Sequence, residues 1–223
     1  MTAPLRLVLF DVDGTLVDSQ GSIIQAMTAS FQAALLPVPG REAILSIVGL
    51  SLPIALARLA PDQSGSVQAD LVEGYKQAYN AHHLENGAAS SPLYPGALEA
   101  IEALHGVPEV LLGVATGKSQ RGLDALIEAH GLERYFVTRQ VADHHPSKPH
   151  PSMVQTALTE TGVHETHAVM IGDTSYDMDM AAAAGVAGIG VSWGYHDRSV
   201  LTSAACVIET FDQLPAALAN IWN

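Results

Sequence analysis

The chain has 223 residues and a single cysteine, Cys206, which excludes an internal disulfide bond. This cysteine usage favours a reducing compartment, so we expect a cytoplasmic protein. The formal net charge is −13 with only 10 lysines and arginines, which excludes nucleic acid and anionic membranes as expected partners. No apolar run approaches the length of a membrane span, and Asp11 and Asp13 end the early apolar run that a secretory signal would need.

Short apolar runs alternate with helical patterns along most of the chain, which is typical of a parallel α/β sheet. The apolar runs predict five strands, at residues 5–10, 110–115, 167–171, 187–191 and 206–208. Three helices are predicted between them, each with a residue that favours a helix start and a glycine that favours a helix end. These pairs are Ser119 and Gly131, Pro151 and Gly162, and Ser175 and Gly185.

Residues 18–92 break this alternation, because they are helical in pattern and contain no convincing strand. Apolar residues recur at helical spacing until Pro37, and Ser51-Leu52-Pro53 marks another helix start, with a third helix after it. The sequence therefore predicts a helical module inserted into an α/β core that consists of residues 1–17 and 93–223. The module follows the first strand directly, so it can lie over the end of that strand.

Asp11 and Asp13 stand where the first predicted strand ends, and Gly14 and Thr15 follow them. Two carboxylates this close repel each other, and a buried pair shifts its pKa values or binds a cation. A divalent metal ion would leave one carboxylate as a nucleophile and the other as a proton-transfer group. The structural alternative is a turn that has Asp13 and Gly14 at its corner.

Two further segments with a cation follow later predicted strands. In Thr116-Gly117-Lys118, a hydroxyl and a bare backbone amide can hold phosphate oxygens; the alternative is an ordinary capped helix start. In Ser147-Lys148-Pro149, the lysine lies between a loop and a proline-started helix, so its backbone is restricted. Such a cation suits a place beside a carboxylate or a phosphate, whereas the alternative is a solvated lysine.

A last acidic motif is Gly172-Asp173-Thr174-Ser175-Tyr176-Asp177. Asp173 ends a predicted strand and Asp177 falls in the first turn of the next helix, so both can face one cleft. Carboxylate oxygens are natural ligands for Mg²⁺, which usually retains waters and also takes substrate phosphate. The alternative is one helix-capping and one solvated aspartate. All four motifs fall at strand ends, where open α/β sheets bind their ligands.

These motifs together resemble the haloacid dehalogenase superfamily of phosphohydrolases over essentially the whole chain. The residues that carry the resemblance are Asp11-x-Asp13-Gly14-Thr15, Thr116, Lys148 and Gly172-Asp173-x-x-x-Asp177. The resemblance implies an α/β fold: a Rossmann-like parallel sheet core flanked by helices, with an inserted α-helical cap domain at 18–92. Within the superfamily, Trp193-Gly194-Tyr195 and Ser147-Lys148-Pro149 look most like phosphoglycolate phosphatase-type members.

The resemblance also implies a role for each motif residue. Asp11 would attack phosphorus and form an aspartyl phosphate, while Asp13 would protonate the leaving oxygen and later deprotonate water. Lys148 would offset charge on Asp11 and the phosphate. Magnesium would be held by the Asp11 carboxylate, the main-chain carbonyl of Asp13 and Asp173, with Asp177 acting through water or through Lys148. The implied phosphate-binding residues are Gly14, Thr15, Thr116, Gly117 and Lys118.

The implied function is a magnesium-dependent phosphatase for a small phosphorylated metabolite such as 2-phosphoglycolate, acting as a monomer or homodimer. The carboxylate of Asp13 argues against the dehalogenase members, because halide leaves without a proton. A sugar phosphomutase of the same superfamily and a non-catalytic phosphate-binding module remain as alternatives. In the helical module, Arg58 and Lys76 are candidates to meet a substrate carboxylate, and Tyr75 or Tyr79 to pack on the substrate. Surface or core roles in a helix bundle remain equally open for these four residues.

Overall fold

A computed structural model describes residues 4–222 of the chain. The described residues form one six-stranded sheet in which all neighbouring strands are parallel. The strand order is β3-β2-β1-β4-β5-β6, so β1 and β4 lie side by side at the centre. The strands are β1 Arg6–Phe10, β2 Val110–Thr116, β3 Phe136–Val141, β4 Ala168–Gly172, β5 Ala187–Val191 and β6 Cys206–Ile208. The parallel α/β fold predicted from the sequence is confirmed.

Nine α-helices occur within residues 4–222, and the first four all lie between β1 and β2. The helices are α1 Gln20–Ala33, α2 Arg41–Ser46, α3 Leu52–Leu59, α4 Gly65–Asn86, α5 Ala97–His105, α6 Gln120–His130, α7 Ser152–Thr161, α8 Ser175–Ala183 and α9 Leu214–Trp222. Short 3₁₀ helices add Gly87–Ser90, Glu165–His167, Arg198–Val200 and Phe211–Gln213.

Five strands lie where the apolar runs predict them, with ends shifted by at most one residue. The prediction omitted β3, which lies at the edge of the sheet and pairs only with β2. Two of its buried side chains are polar and bind Glu160: Thr138 Oγ1 donates to it at 2.6 Å and Gln140 Nε2 at 2.8 Å. A strand whose buried positions are filled by hydrogen-bonded polar groups lacks the apolar run on which the prediction depends.

Apolar side chains cover both faces of the sheet. Along β1, Val8 and Phe10 pack on one face with side chains of α5, α6 and α9. Leu7 and Leu9 point to the other face and pack with α7 and α8, as the alternation along a strand requires. This three-layer core holds the carboxyl ends of β1, β2 and β4 next to one another.

The ends of α6 and α7 carry the signals predicted for them. Ser119 Oγ accepts a hydrogen bond from the Gly122 amide at 3.2 Å and so caps α6. Pro151 directly precedes α7. Gly131 and Gly162 follow the two helices with φ of 65° and 68°, a left-handed conformation that glycine adopts without steric cost.

The N-cap of helix α8 is Thr174 rather than the predicted Ser175, so the helix begins one residue earlier than predicted. Thr174 has an extended backbone, and its hydroxyl accepts a hydrogen bond from the Asp177 amide at 3.3 Å. Asp177 Oδ2 in turn accepts one from the Thr174 amide at 3.0 Å, which completes a capping box. The predicted cap at Ser175 is therefore wrong, since that residue is already helical.

Helices α1–α4 pack around an apolar cluster of their own. Its buried members include one residue from each helix: Met27, Ile44, Leu56 and Leu71. Helix α2 was not predicted, because six residues are too few to show a helical period. We call residues 18–92 the helical insertion.

The two ends of the helical insertion lie side by side. The Asp18 amide donates to the Pro92 carbonyl at 2.8 Å, and Val17 forms an antiparallel bridge with Leu93. The chain thus leaves the core and returns to it at one place, close to the end of β1. Within the part of the chain that the structure describes, none of the helices has both the length and the apolar character needed to cross a membrane.

Candidate active site

The predicted motifs meet at the carboxyl edge of the sheet. Asp11 follows β1, Thr116 is the last residue of β2, and Asp173 follows β4. Lys148 lies in the loop between β3 and α7, and all four side chains are buried. Four separate segments of the sequence therefore contribute to one small volume.

Lys148 joins two aspartates in the interior. Its Nζ atom donates to Asp11 Oδ1 at 2.7 Å and to Asp177 Oδ1 at 2.6 Å. None of the three residues exposes more than 2% of its surface. Burial opposes the charge on Lys148, but Asp11 and Asp177 outweigh that effect and raise its pKa. Lys148 is therefore a fixed ammonium ion beside Asp11.

The contact with Lys148 compensates the negative charge of Asp11 only in part. Burial is the strongest influence on it and raises its pKa to about 7, whereas Lys148 lowers the pKa and Asp177 raises it. Its Oδ2 atom is buried and has no hydrogen-bond partner among the described residues. A buried acceptor left without a partner typically costs about 1–3 kcal/mol. Oδ2 is therefore available to a cation or to an electrophile.

Asp173 lies beside Asp11 with hydrogen-bond donors but no cation. Thr15 Oγ1 donates to its Oδ1 at 3.1 Å, and the Tyr195 backbone amide donates to its Oδ2 at 2.8 Å. Within residues 4–222 no lysine or arginine forms an ion pair with it. Burial, then repulsion from Asp11 and Asp177, raises its pKa. The hydroxyl of Thr15 holds this carboxylate, and its predicted role in binding substrate stays a prediction.

Two glycines allow this close packing around Asp173. A Cβ atom on either Gly14 or Gly194 would overlap the Asp173 side chain. Gly14 also has a φ of 89°, a conformation that residues with a side chain rarely adopt. Gly14 was predicted to bind substrate; its observed contribution is the space that Asp173 occupies.

The buried acidic cluster fits a divalent cation. Asp11, Asp173 and Asp177 each offer one carboxylate oxygen, and these three oxygens lie within 4.8 Å of one another. When all three carboxyls are ionised, the single ammonium of Lys148 balances one of the three charges and leaves two negative charges for a cation to balance. Hard oxygen donors without a thiolate suit Mg²⁺. The unpartnered Oδ2 of Asp11 supplies a free donor atom for such an ion.

Asp13 lies apart from this cluster and has its own cation. Lys118 Nζ donates to both of its carboxylate oxygens, at 2.7 Å and 2.9 Å, and also to the Tyr79 hydroxyl at 3.0 Å. The Ser19 hydroxyl donates to Asp13 Oδ1. Burial opposes the charge on Lys118, but Asp13 and Tyr79 outweigh it and raise its pKa. The side chain of Lys118 binds Asp13, and its predicted role in binding substrate stays a prediction.

The segment after β2 meets a loop of the helical insertion. Thr116 is buried, and its Oγ1 accepts a hydrogen bond from the Lys118 amide at 3.2 Å. A Cβ atom on Gly117 would lie 2.6 Å from the Gly49 carbonyl oxygen, so only glycine allows this approach. The Ser51 amide nearby donates to Ser147 Oγ at 2.9 Å. The insertion therefore contacts the core beside the site, at Gly117 and at Ser147.

A cavity of about 610 Å³ lies between the helical insertion and the core, with Asp11 and Asp13 in its wall. Lys76 and the stacked rings of Tyr75 and Tyr79 also line it, as the sequence anticipated for residues that meet substrate. Arg58 does not line the cavity. Its guanidinium donates to the Tyr176 hydroxyl at 2.9 Å, so the structure does not bring this candidate to the cavity wall.

Sequence reasoning missed three contributions to the site. Ser19 binds Asp13, the backbone amide of Tyr195 binds Asp173, and the Tyr195 hydroxyl accepts from the Ser19 amide at 3.1 Å. Serine and a backbone amide carry no distinctive pattern, so the sequence held no signal for Ser19. The segment Trp193-Gly194-Tyr195 carries part of the resemblance, but nothing in its sequence indicates that its backbone contacts Asp173.

Comparisons with known proteins agree with this geometry. Residues 8–191 match the family described as haloacid dehalogenase-like hydrolase. A Dickeya dadantii (strain 3937) protein named "Probable phosphatase IndB" is 35% identical over 217 residues, covering 95% of this chain and 92% of that protein. A "Phosphoglycolate phosphatase" of Mesorhizobium japonicum is 30% identical over 216 residues, covering 96% and 95%. A hydrolase from Pseudomonas syringae superposes with a TM-score of 0.85 at 24% identity, covering 98% and 100%.

The parallel sheet and its buried carboxylate cluster define an α/β protein with its candidate site at the strand ends. The chain belongs to the haloacid dehalogenase-like hydrolase family. Its relatives are named as phosphatases, and the enzyme is a phosphoric monoester hydrolase.

Proposed function

We propose that this enzyme is a magnesium-dependent phosphatase that hydrolyses a small phosphorylated metabolite through an aspartyl phosphate on Asp11. The observation that carries the proposal is the state of the Asp11 carboxylate. One of its oxygens is fixed by Lys148, whereas the other is buried without a partner beside Asp173. A carboxylate held in this way is oriented and partly desolvated, and one of its oxygens has no partner until a ligand binds.

In the first step an Asp11 oxygen attacks phosphorus and the bond from phosphorus to the ester oxygen breaks. Asp13 enters this step in its protonated form and gives that proton to the departing oxygen, which leaves as an alcohol. The ion pair of Asp13 with Lys118 is the ionised form that follows. The Thr116 hydroxyl and the Gly117 amide bind phosphoryl oxygens, and Lys148 opposes the charge that accumulates on them. Placed donors of this kind supply most of the stabilisation in phosphoryl transfer.

In the second step Asp13, now ionised, takes a proton from a water molecule. The water oxygen attacks phosphorus, the acyl phosphate bond breaks, and Asp11 is released as a carboxylate with inorganic phosphate as the product. Lys118 and Ser19 hold Asp13 in place between the two proton transfers. This sequence returns both aspartates to their initial protonation states.

Asp11, Asp173 and the Asp13 main-chain carbonyl would hold Mg²⁺, with Asp177 acting through water or through Lys148. The ion supplies positive charge next to the transferring phosphoryl group. Direct contact between Asp177 and Lys148, at 2.6 Å, supports the second of these two routes. Asp173, buried without a cation of its own, supports the assignment of a metal at this place.

We also propose that residues 18–92 act as a cap over the site and that residues 1–17 and 93–223 form the catalytic core. The helical insertion supports this division because it has its own apolar cluster and contacts Gly117 and Ser147 beside the site. A cytoplasmic location and a monomeric or homodimeric state remain predictions. The name of the Mesorhizobium relative makes 2-phosphoglycolate the reference substrate for assays.

Steady-state release of inorganic phosphate tests the proposal. The wild-type enzyme with Mg²⁺ should hydrolyse phosphomonoesters, and Asp11→Asn should lose nearly all turnover, because an amide cannot form the acyl phosphate. Asp62→Asn, at an exposed carboxylate of the insertion, is the matched control and should keep wild-type turnover. Substantial activity of Asp11→Asn would contradict the proposed chemistry.

A further inference from the structure

The cavity above the site is larger than a two-carbon substrate requires. Its volume of about 610 Å³ lies within the range of about 300–1,000 Å³ that is typical of sites for drug-sized ligands. The phosphoryl group needs only the end of the cavity that contains Asp11 and Thr116. The remaining space is available to the alcohol part of the ester. The residues that line this space therefore indicate what kind of alcohol it can bind.

The leaving alcohol lies on the side of Asp13, because Asp13 must reach the departing oxygen within about 2.6–3.2 Å. Lys118 connects Asp13 to helix α4: its Nζ atom contacts both Asp13 oxygens and, at 3.0 Å, the Tyr79 hydroxyl. Tyr79 stacks on Tyr75 with ring centroids 5.7 Å apart and planes inclined by 21°. The alcohol that Asp13 protonates therefore lies beside a pair of stacked aromatic rings.

The part of this wall that belongs to the helical insertion is largely apolar. Both tyrosines and a set of aliphatic side chains from α1, α3 and the loop before α3 line the cavity. The aliphatic residues are Ile23, Met27, Ile47, Val48, Leu50, Leu52, Pro53 and Ala55. Apolar and aromatic linings favour ligands with matching apolar surface, because burial of that surface is the main gain in free energy.

The lysines in the cavity wall are already paired with carboxylates of the protein. Lys118 is bound to Asp13, and Lys76 forms an ion pair with Glu73 at 2.7 Å near the solvent. Arg121 also lines the cavity; it is exposed and forms no ion pair within residues 4–222. A substrate carboxylate that met either lysine would have to displace its existing partner, which favours a neutral alcohol beside Lys118 and Tyr79.

We propose that the preferred substrate is a phosphomonoester of a neutral alcohol that carries a flat, mainly apolar ring, with the ring bound against Tyr75 and Tyr79. This assignment rests on the proposed phosphatase function and names the substrate class of that same site. It predicts that 2-phosphoglycolate, which is small and carries a carboxylate, is a poor substrate.

A matched series of four esters tests the assignment on the magnesium-loaded enzyme: ethyl phosphate, benzyl phosphate, 4-carboxybenzyl phosphate and 2-phosphoglycolate. All four release alkyl alcohols, so differences in kcat/KM report binding of the alcohol in the transition state. Benzyl phosphate should exceed ethyl phosphate by about 10- to 100-fold, the range expected for burial of one aromatic ring. 4-Carboxybenzyl phosphate and 2-phosphoglycolate should both fall below benzyl phosphate.

Variants of Tyr75 show whether the substrate ring binds against Tyr75 and Tyr79, as proposed. Tyr75→Leu should lower kcat/KM for benzyl phosphate about 3- to 10-fold more than it lowers kcat/KM for ethyl phosphate, in line with the gain from aromatic pairing. Tyr75→Phe keeps the ring and should restore the preference. Arg58→Ala is the matched control, because Arg58 contacts Tyr176 outside the cavity, and it should keep the wild-type ranking of esters.

The outcomes separate this inference from the proposed function. If 2-phosphoglycolate or ethyl phosphate is hydrolysed as well as benzyl phosphate, the assignment of the substrate class is overturned while the phosphatase chemistry stands. If none of the four esters is hydrolysed, the proposed function fails and the substrate class fails with it. The wild-type ranking decides the question even where Tyr75→Leu does not fold.

Discussion

At the scale of single residues, the two aspartates of the first motif lie in different electrostatic surroundings although they are two positions apart. Asp11 shares the ammonium of Lys148 with Asp177, and its pKa is raised to about 7 by burial. Asp13 has an ammonium to itself, because Lys118 contacts both of its oxygens. The two carboxylates therefore differ in what they leave free: Asp11 keeps one oxygen without a partner, whereas Lys118 contacts both oxygens of Asp13.

Asp13→Asn should lower activity most for esters whose leaving oxygen must be protonated. The amide keeps the shape of the side chain but cannot protonate the departing oxygen, so kcat/KM for an alkyl phosphate should fall about 10²- to 10⁴-fold. p-Nitrophenyl phosphate should lose much less, because its leaving oxygen is stable without a proton. Parallel kinetics on both esters check this, and an equal loss on the two would contradict the role of Asp13.

Gly194→Ala should weaken magnesium binding, because a Cβ atom at this position overlaps the Asp173 carboxylate. Loss of ligand orientation typically costs about 10- to 100-fold in metal affinity, so the magnesium concentration for half-maximal activity should rise by that factor. Gly21→Ala is the control, since a Cβ atom there meets open space. Equal magnesium dependence of the two variants would remove Asp173 from the metal site.

At the scale of secondary structure, the sequence predicts well the elements whose physical signal is local. The five predicted strands are apolar runs, and α6 and α7 carry a cap residue and a glycine at their ends. The β3 strand and the start of α8 were missed for a different reason. Thr138 and Gln140 are buried because Glu160 binds them, and Thr174 caps α8 because Asp177 completes its capping box.

Thr174→Ala should destabilise the protein by about 1 kcal/mol, because loss of an N-cap typically costs about 0.5–2 kcal/mol. Ser175→Ala is the matched control, since Ser175 is already inside the helix, and its effect should be smaller. Denaturant-induced unfolding of both variants measures the difference in the free energy of unfolding. A larger loss for Ser175→Ala would mean that the cap is at the position predicted from sequence.

At the scale of the whole molecule, the site combines segments that only the tertiary fold brings together. The sequence places Asp11, Asp173 and Lys148 at strand ends, which is enough to predict that they meet. It does not determine that Lys118 binds Asp13, or that the backbone of Tyr195 binds Asp173. These contacts depend on how the helical insertion and the loop after β5 pack on the core, which local patterns do not encode.

The metal-free enzyme should lose stability as the pH rises towards neutral. The pKa of Asp11 is about 7 in the folded state and near the ordinary 3.8 when unfolded, so the folded state binds the extra proton between these values. Raising the pH through this window therefore lowers the free energy of unfolding. Unfolding in chelator at about pH 5 and about pH 8 measures the loss.

Magnesium should oppose this loss at the higher pH, by about 2.7 kcal/mol at a free concentration 100 times Kd. Asp11→Asn should reduce the pH dependence of the chelated protein, because the titrating carboxyl is absent. A chelated enzyme that becomes more stable across the same window, or a magnesium effect absent at both pH values, would contradict a buried, uncompensated acidic cluster.

Detection of the covalent intermediate tests the central claim most directly. The magnesium-loaded enzyme is mixed with benzyl phosphate, quenched in acid within one turnover, digested and analysed by peptide mass spectrometry, with Asp11→Asn treated in parallel. The predicted result is a peptide that carries one phosphoryl group on Asp11 in the wild type and no phosphorylated peptide in Asp11→Asn. Phosphate release without any phosphoryl group on Asp11, or phosphorylation at another residue, would contradict the mechanism.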